Sequence, residues 1–174
     1  MRVVRLQRQH RSLAATFENQ HLSLVEYLRR FAERHDERDL LSRTWVAIDD
    51  GRIAGYFTLS MASVERASLE GVATLSSLPK FPVPAMLLAR LAVDHRVQQQ
   101  GLGRFLFEEA LGRVLQLLED GPVGFRLFVA DAIDETAAAF YERRGFHAVE
   151  SGWPRRMVLD LQPLAKAMQV RGRR

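Results

Sequence analysis

From Leu87 to Val93 the chain is apolar apart from Arg90. A strand so composed needs cover on both faces, which puts it in the middle of a sheet rather than at an edge. It leads into Asp94–Gln100, then Gly101-Leu102-Gly103, then a helical pattern from about Arg104 to Glu119 that Gly121-Pro122 ends. A turn of small residues at a helix start leaves backbone N–H groups pointing outward, where the helix dipole also favours an anion. Gly101 and Gly103 let a phosphate reach the backbone with no Cβ in the way. The Gly-Lys-Ser/Thr ending of a Walker loop is absent, and the third glycine of a dinucleotide fingerprint is replaced by Leu106. Taken alone, the segment fits a tight turn and a phosphate cradle equally well.

The other elements follow from periodicity. Val3 to Leu6 reads as a strand, and Leu13, Phe17, Leu24, Tyr27, Leu28 and Phe31 recur at the spacing of two amphipathic helices before residue 41. Thr44–Ile48 and Ile53–Ser60 form a hairpin about Asp49-Asp50-Gly51. Ala62 to Pro84, with prolines at 79, 82 and 84, is a long loop, either functional or a mobile insertion. Phe125–Ala130 reads as a strand, Glu135–Arg144 as a helix with Gly145 as its left-handed cap, and Phe146–Val149 and Arg156–Leu161 as closing strands. The order predicts an α/β fold, with a mixed, mostly antiparallel sheet and helices packed on both faces. Residues 1–162 are expected to form one domain, and 163–174, ending Arg171-Gly172-Arg173-Arg174, a basic tail.

The 174 residues contain no cysteine, which excludes disulfides, thiolate metal sites and a cysteine nucleophile. Five histidines at 10, 21, 35, 95 and 147 lack metal-ligand spacing. No apolar block suits a secretory signal or a membrane span, so a cytoplasmic location is expected. The net charge is +4, and the only lysines are Lys80 and Lys166. Arginine excess fits either attraction to phosphate or a codon bias. Ser77-x-x-Lys80 matches a β-lactamase spacing, but Pro79 and the loop context speak for chance.

About forty residues after the glycine turn comes Phe140-Tyr141-Glu142-Arg143-Arg144-Gly145-Phe146. Together with Gln98–Gly103 behind a central strand, this pattern resembles the GNAT acetyltransferase family over residues 44–161. The resemblance implies that Gln98, Gln99, Gln100, Gly101, Leu102, Gly103 and Arg104 hold the pyrophosphate of acetyl-CoA. It also implies a splayed central strand whose Leu91, Ala92 and Val93 present backbone groups to the thioester. Tyr141 is implied as the group that protonates the leaving thiolate, and the Val93 N–H as the oxyanion donor. For that transfer the phenol, ordinarily near pKa 10, must be tuned toward a thiol near 8.5. No metal is called for. The family often has Asn where this chain has Asp134, which leaves that position without an assigned role.

No obvious general base appears, and His95 reads as a surface residue beside the turn. An α-amine of pKa near 7.8 is roughly one-seventh neutral at pH 7, whereas a lysine is neutral about once in 2,500 molecules. A site without a strong base therefore suits an α-amine. Phe17–Leu28 and the strand Leu88-Ala89-Arg90-Leu91-Ala92-Val93-Asp94 resemble GNAT toxins of bacterial toxin–antitoxin pairs, with Asn19-Gln20 replacing their Cys-Gly. That resemblance implies acetylation of aminoacyl-tRNA, a ribbon-helix-helix antitoxin as partner, and a homodimer. Arg29, Arg30, Arg34, Arg38, Arg96 and Arg104 are then candidate phosphate contacts, and a solvated helix face explains the first four equally well. The alternative is a GNAT enzyme acting on a small-molecule, peptide or protein amine.

Overall fold

The computed structural model describes residues 1–72, 75, 78 and 81–172. Ser77, Pro79, Lys80, Arg173 and Arg174 lie outside the described residues. The strands are β1 (Arg2–Arg5), β2 (Arg43–Asp49), β3 (Arg52–Val64), β4 (Val83–Val93), β5 (Leu127–Ala132), β6 (His147–Ala148) and β7 (Arg155–Asp160). The helices are α1 (Arg11–Ala15), α2 (Leu22–Glu26), α3 (Ala32–Glu37), α4 (Leu102–Asp120), α5 (Glu135–Glu142) and α6 (Gln162–Gly172). The seven-stranded sheet has the order β1-β2-β3-β4-β5-β7-β6, which puts the apolar β4 at its centre, as its composition requires. This is the expected α/β class.

The chain divides into two compact units, Met1–Ser60 with Leu88–Leu111, and Met61–Leu87 with Gly112–Arg174. In the first, β1 pairs antiparallel with β2 and β2 with β3. Leu6, Phe17, Leu28, Val46, Ile53 and Tyr56 are buried together on this sheet. The second amphipathic run continues from α2 into α3 through a π-helical turn, Tyr27–Phe31. Asp36 of α3 is fully buried, pairs with Arg5 and Arg43, and accepts the Thr44 amide at 3.0 Å. A buried carboxylate is tolerated only with such partners.

In the second unit β7 pairs antiparallel with β5 and β6. Leu69, Val72 and Leu75, all within the stretch read as a loop, are buried with Val83, Leu127, Val129 and Val158. These residues of the loop are core, not a mobile insertion. Pro84 sits near the start of β4, where a strand tolerates proline. The expected tail from residue 163 begins instead as α6, whose Ala165 amide donates to Leu161 O at 2.9 Å. The helix forms because Leu164, Ala165, Ala167 and Met168 are good helix formers following a strand end.

Candidate functional site

After Val93 the chain makes a short 3₁₀ turn, His95–Val97, capped by Asp94, whose carboxylate accepts the Arg96 amide at 3.0 Å. Gln99 and Gly101 then take left-handed backbone angles, with φ of +63° and +79°. At Gly101 the surroundings are open, so it is conformation that calls for glycine. Helix α4 begins at Leu102, two residues earlier than periodicity indicates, and the Phe105 amide donates to Gly101 O at 3.1 Å. The amides of Leu102, Gly103 and Arg104 precede that bond and belong to the unpaired first turn. A Cβ on Gly103 would sit 3.7 Å from Val93 Cγ2, an ordinary contact. The fold itself does not need glycine there, and the missing Cβ leaves the first-turn amides open to an anion. The segment therefore fits a diphosphate. The Arg104 guanidinium is paired with Glu108 at 2.7 Å, so this residue offers the turn its backbone amide.

The end of β4 is held against β3 by the Asp94 amide, which donates to Ala54 O at 2.8 Å. Next to it, a Cβ on Gly55 would lie 2.8 Å from Ala92 O and 2.6 Å from Leu106 Cδ1. Glycine is thus what lets the Ala92 carbonyl come up against β3. In a trans peptide the N–H points opposite to the C=O. With Ala92 O close to Gly55, the Val93 N–H points away from that glycine.

Sequence reasoning missed the polar knot beneath this strand end. The Asp94 carboxylate is 2% exposed and accepts the Glu18 amide at 3.0 Å, Arg96 Nε at 2.7 Å and Arg96 Nη2 at 2.6 Å. Burial pushes this carboxyl up, but the bonds from Arg96 and from the Glu18 and Arg96 amides more than reverse that and leave it below its usual range. Arg96 also donates to Thr16 O at 2.7 Å, and the His95 amide to Glu18 O at 2.9 Å. Its signal was present in the Leu-Ala-Arg-Leu-Ala-Val-Asp run, which ends on the acid. His95 is half-exposed, with Nδ1 3.4 Å from Glu18 Oε2.

Most of the arginines read as phosphate contacts have partners within the chain. Arg29 donates to Phe17 O at 2.7 Å, Arg30 pairs with Glu26 at 2.9 Å, and Arg34 with Asp39 at 2.8 Å. Arg38 is exposed just past α3.

Tyr141 belongs to the second unit, near the end of α5. Its ring packs 5.3 Å from those of both Phe140 and Phe146, and it is 7% exposed. Gly145, at φ +85°, closes the helix as expected, and the Phe146 amide donates to Tyr141 O at 3.2 Å. Burial raises the Tyr141 phenol well above its ordinary value, Asp131 raises it further, and Arg144 opposes them. This departs from the tuning toward a thiol expected from the sequence. Rings that exclude water penalise the phenolate and keep the O–H intact. Asp134 also gains a role: it caps α5, accepting the Ala137 amide at 2.8 Å.

Residues 41–148 match the family model of the acetyltransferase (GNAT) domain. A tRNA-acetylating toxin of Mycobacterium tuberculosis H37Rv is 38% identical over 119 residues, 68% of this chain and 69% of the relative. Among solved structures, AtaT complexed with acetyl-methionyl-tRNAfMet superposes with a TM-score of 0.82 at 22% identity, covering 96% of this chain and 98% of that one. A tyrosine-to-phenylalanine mutant of KacT gives 0.81 at 24% identity, with 97% of each chain covered. The turn that offers free amides behind a central strand thus belongs to a known lineage: this chain is a member of the GNAT acetyltransferase family.

Proposed function

We propose that this chain transfers the acetyl group of acetyl-CoA to the α-amine of aminoacyl-tRNA. The observation that carries the reading is the 38% identity to a tRNA-acetylating toxin over a stretch of 119 residues. Bound acetyl-CoA would supply the activated acyl group. Gln98, Gln99, Gln100, Gly101, Leu102, Gly103 and Arg104 hold its diphosphate through main-chain amides. Leu91, Ala92 and Val93 line the acyl group, and the Val93 N–H steadies the carbonyl oxygen as charge develops there. Tyr141, kept neutral by its ring neighbours, donates its hydrogen bond to the departing sulfur. Complete proton release from an ordinary phenol to a thiol is already about 2 kcal/mol uphill, so the O–H solvates the sulfur while the attacking nitrogen's own proton supplies the balance. The neutral fraction of an α-amine removes the need for a strong base.

In the same reading, residues 1–162 act as one catalytic domain, and the protein works in the cytoplasm as a homodimer silenced by a ribbon-helix-helix antitoxin. The test is incubation of the protein with labelled acetyl-CoA and total charged tRNA, beside a panel of free amines, peptides and proteins. Label on the aminoacyl group is the expected outcome. Label only on the other amines would replace the tRNA assignment with the alternative acceptor and leave the family intact.

A further inference from the structure

We propose that Asn19 is a positioning residue for acyl transfer, holding the Val93 carbonyl and thereby aiming the peptide groups at the end of β4. Both ends of its amide are used. Nδ2 donates to Val93 O at 2.8 Å, and Oδ1 accepts the His21 amide at 2.8 Å. Gln98 Nε2 reaches the same Val93 oxygen at 3.4 Å, which has two lone pairs to offer. On the other side of that peptide plane, the Asp94 amide is fixed on Ala54 O. The Val93–Asp94 peptide is therefore pinned at its oxygen and at its nitrogen. In the adjoining peptide, Ala92 O lies close against Gly55, where only a glycine leaves room for it. Holding the Val93–Asp94 peptide at both edges limits rotation about Val93 and so narrows the directions open to the Val93 N–H, and Asn19 makes the shorter of the two side-chain bonds to its oxygen. The adjacent Glu18 amide on Asp94 keeps Asn19 in place.

This role rests on the acetyltransferase reading, and Asn19→Asp separates it from a merely structural one. Aspartate keeps the length and the acceptor for His21, but puts a carboxylate oxygen against the Val93 carbonyl. Ionised, it repels; protonated, it donates and restores the bond. At pH 7.5 the variant should lose about tenfold or more in kcat, the worth of one directional hydrogen bond, with KM for acetyl-CoA within about twofold. The ratio of variant to wild-type kcat should climb as pH falls from 8 into the ordinary aspartate range near 4. The titratable and charged neighbours Glu18, His21, Asp94, His95 and Arg96 are common to both proteins, so their effects divide out. Asn19→Ala should be slow at every pH, with a flat ratio, and serves if the aspartate variant does not fold.

The Val93 carbonyl carbon shift in NMR gives a readout free of turnover. It should move in the ligand-free aspartate variant at pH 7.5 and return toward wild type as pH falls to about 4 and below. An unchanged kcat, a pH-independent ratio for Asn19→Asp, or an unmoved carbonyl shift overturns the proposal. If the wild type transfers no acetyl group to any amine, the acetyltransferase reading falls, and the carbonyl shift alone decides whether Asn19 holds the strand.

Discussion

The two units secure their candidate functional residues by opposite means. In the first, the end of β4 is held by directional polar bonds: Asp94 on Glu18 and Arg96, Asn19 on Val93, and the Asp94 amide on Ala54. In the second, Tyr141 lies between Phe140 and Phe146, and Phe146 itself packs 5.8 Å from Phe128. Under the proposed function the difference follows the task. Aiming an N–H at a developing charge demands a fixed peptide plane, and only hydrogen bonds fix direction. Keeping a phenol protonated demands only that water be excluded, which rings achieve without directional contacts.

Four substitutions put that contrast under strain. Tyr141→Phe leaves the ring nest filled, so folding and coenzyme affinity should survive while kcat drops by about 100-fold or more, read in steady-state kinetics. Asp94→Ala removes the acceptor at the centre of the polar knot and leaves its donors stranded, costing about 3 kcal/mol in denaturant melts. The wild-type carboxyl titrates below its unfolded value, so its contribution is present at neutral pH and is lost as pH falls through the folded value. The stability gap between the two proteins should therefore close below about pH 4. Gly55→Ala forces a methyl group onto Ala92 O and Leu106, and should cost about 2 kcal/mol and lower kcat as the Ala92 carbonyl moves. Gly103→Ala meets only an ordinary contact with Val93, so the melting temperature should hold while calorimetry shows coenzyme A binding weakened by about tenfold.

Much of the fold was legible because its signals are local. The apolar run Leu87–Val93 marked the central strand, Asp49-Asp50-Gly51 the hairpin, and Gly145 the end of α5. The glycine turn and Tyr141 were also visible as motifs. Of the polar knot only the Asp94 end was marked, by the run that closes on it, because Glu18 stands 76 residues away and no periodicity links the two. Leu69, Val72 and Leu75 were hidden among the Ser, Gly and Pro of a stretch with no regular period, although each is buried. Asp134 looked like a defective ligand position until its bond to Ala137 made it a helix cap. The shift of the Tyr141 phenol depends on three-dimensional packing and could not be read from the residue's neighbours in sequence.

The loop between α1 and α2 reaches the end of β4 and the turn after it chiefly through its main chain: Thr16 gives a carbonyl, Glu18 an amide and a carbonyl, and Asn19 alone a side-chain amide. Thr16 and Glu18 are consequently free to diversify without unfastening the strand, while Asn19 is not. A loop fastened this way can change its outward side chains one at a time while the strand end beneath it stays held.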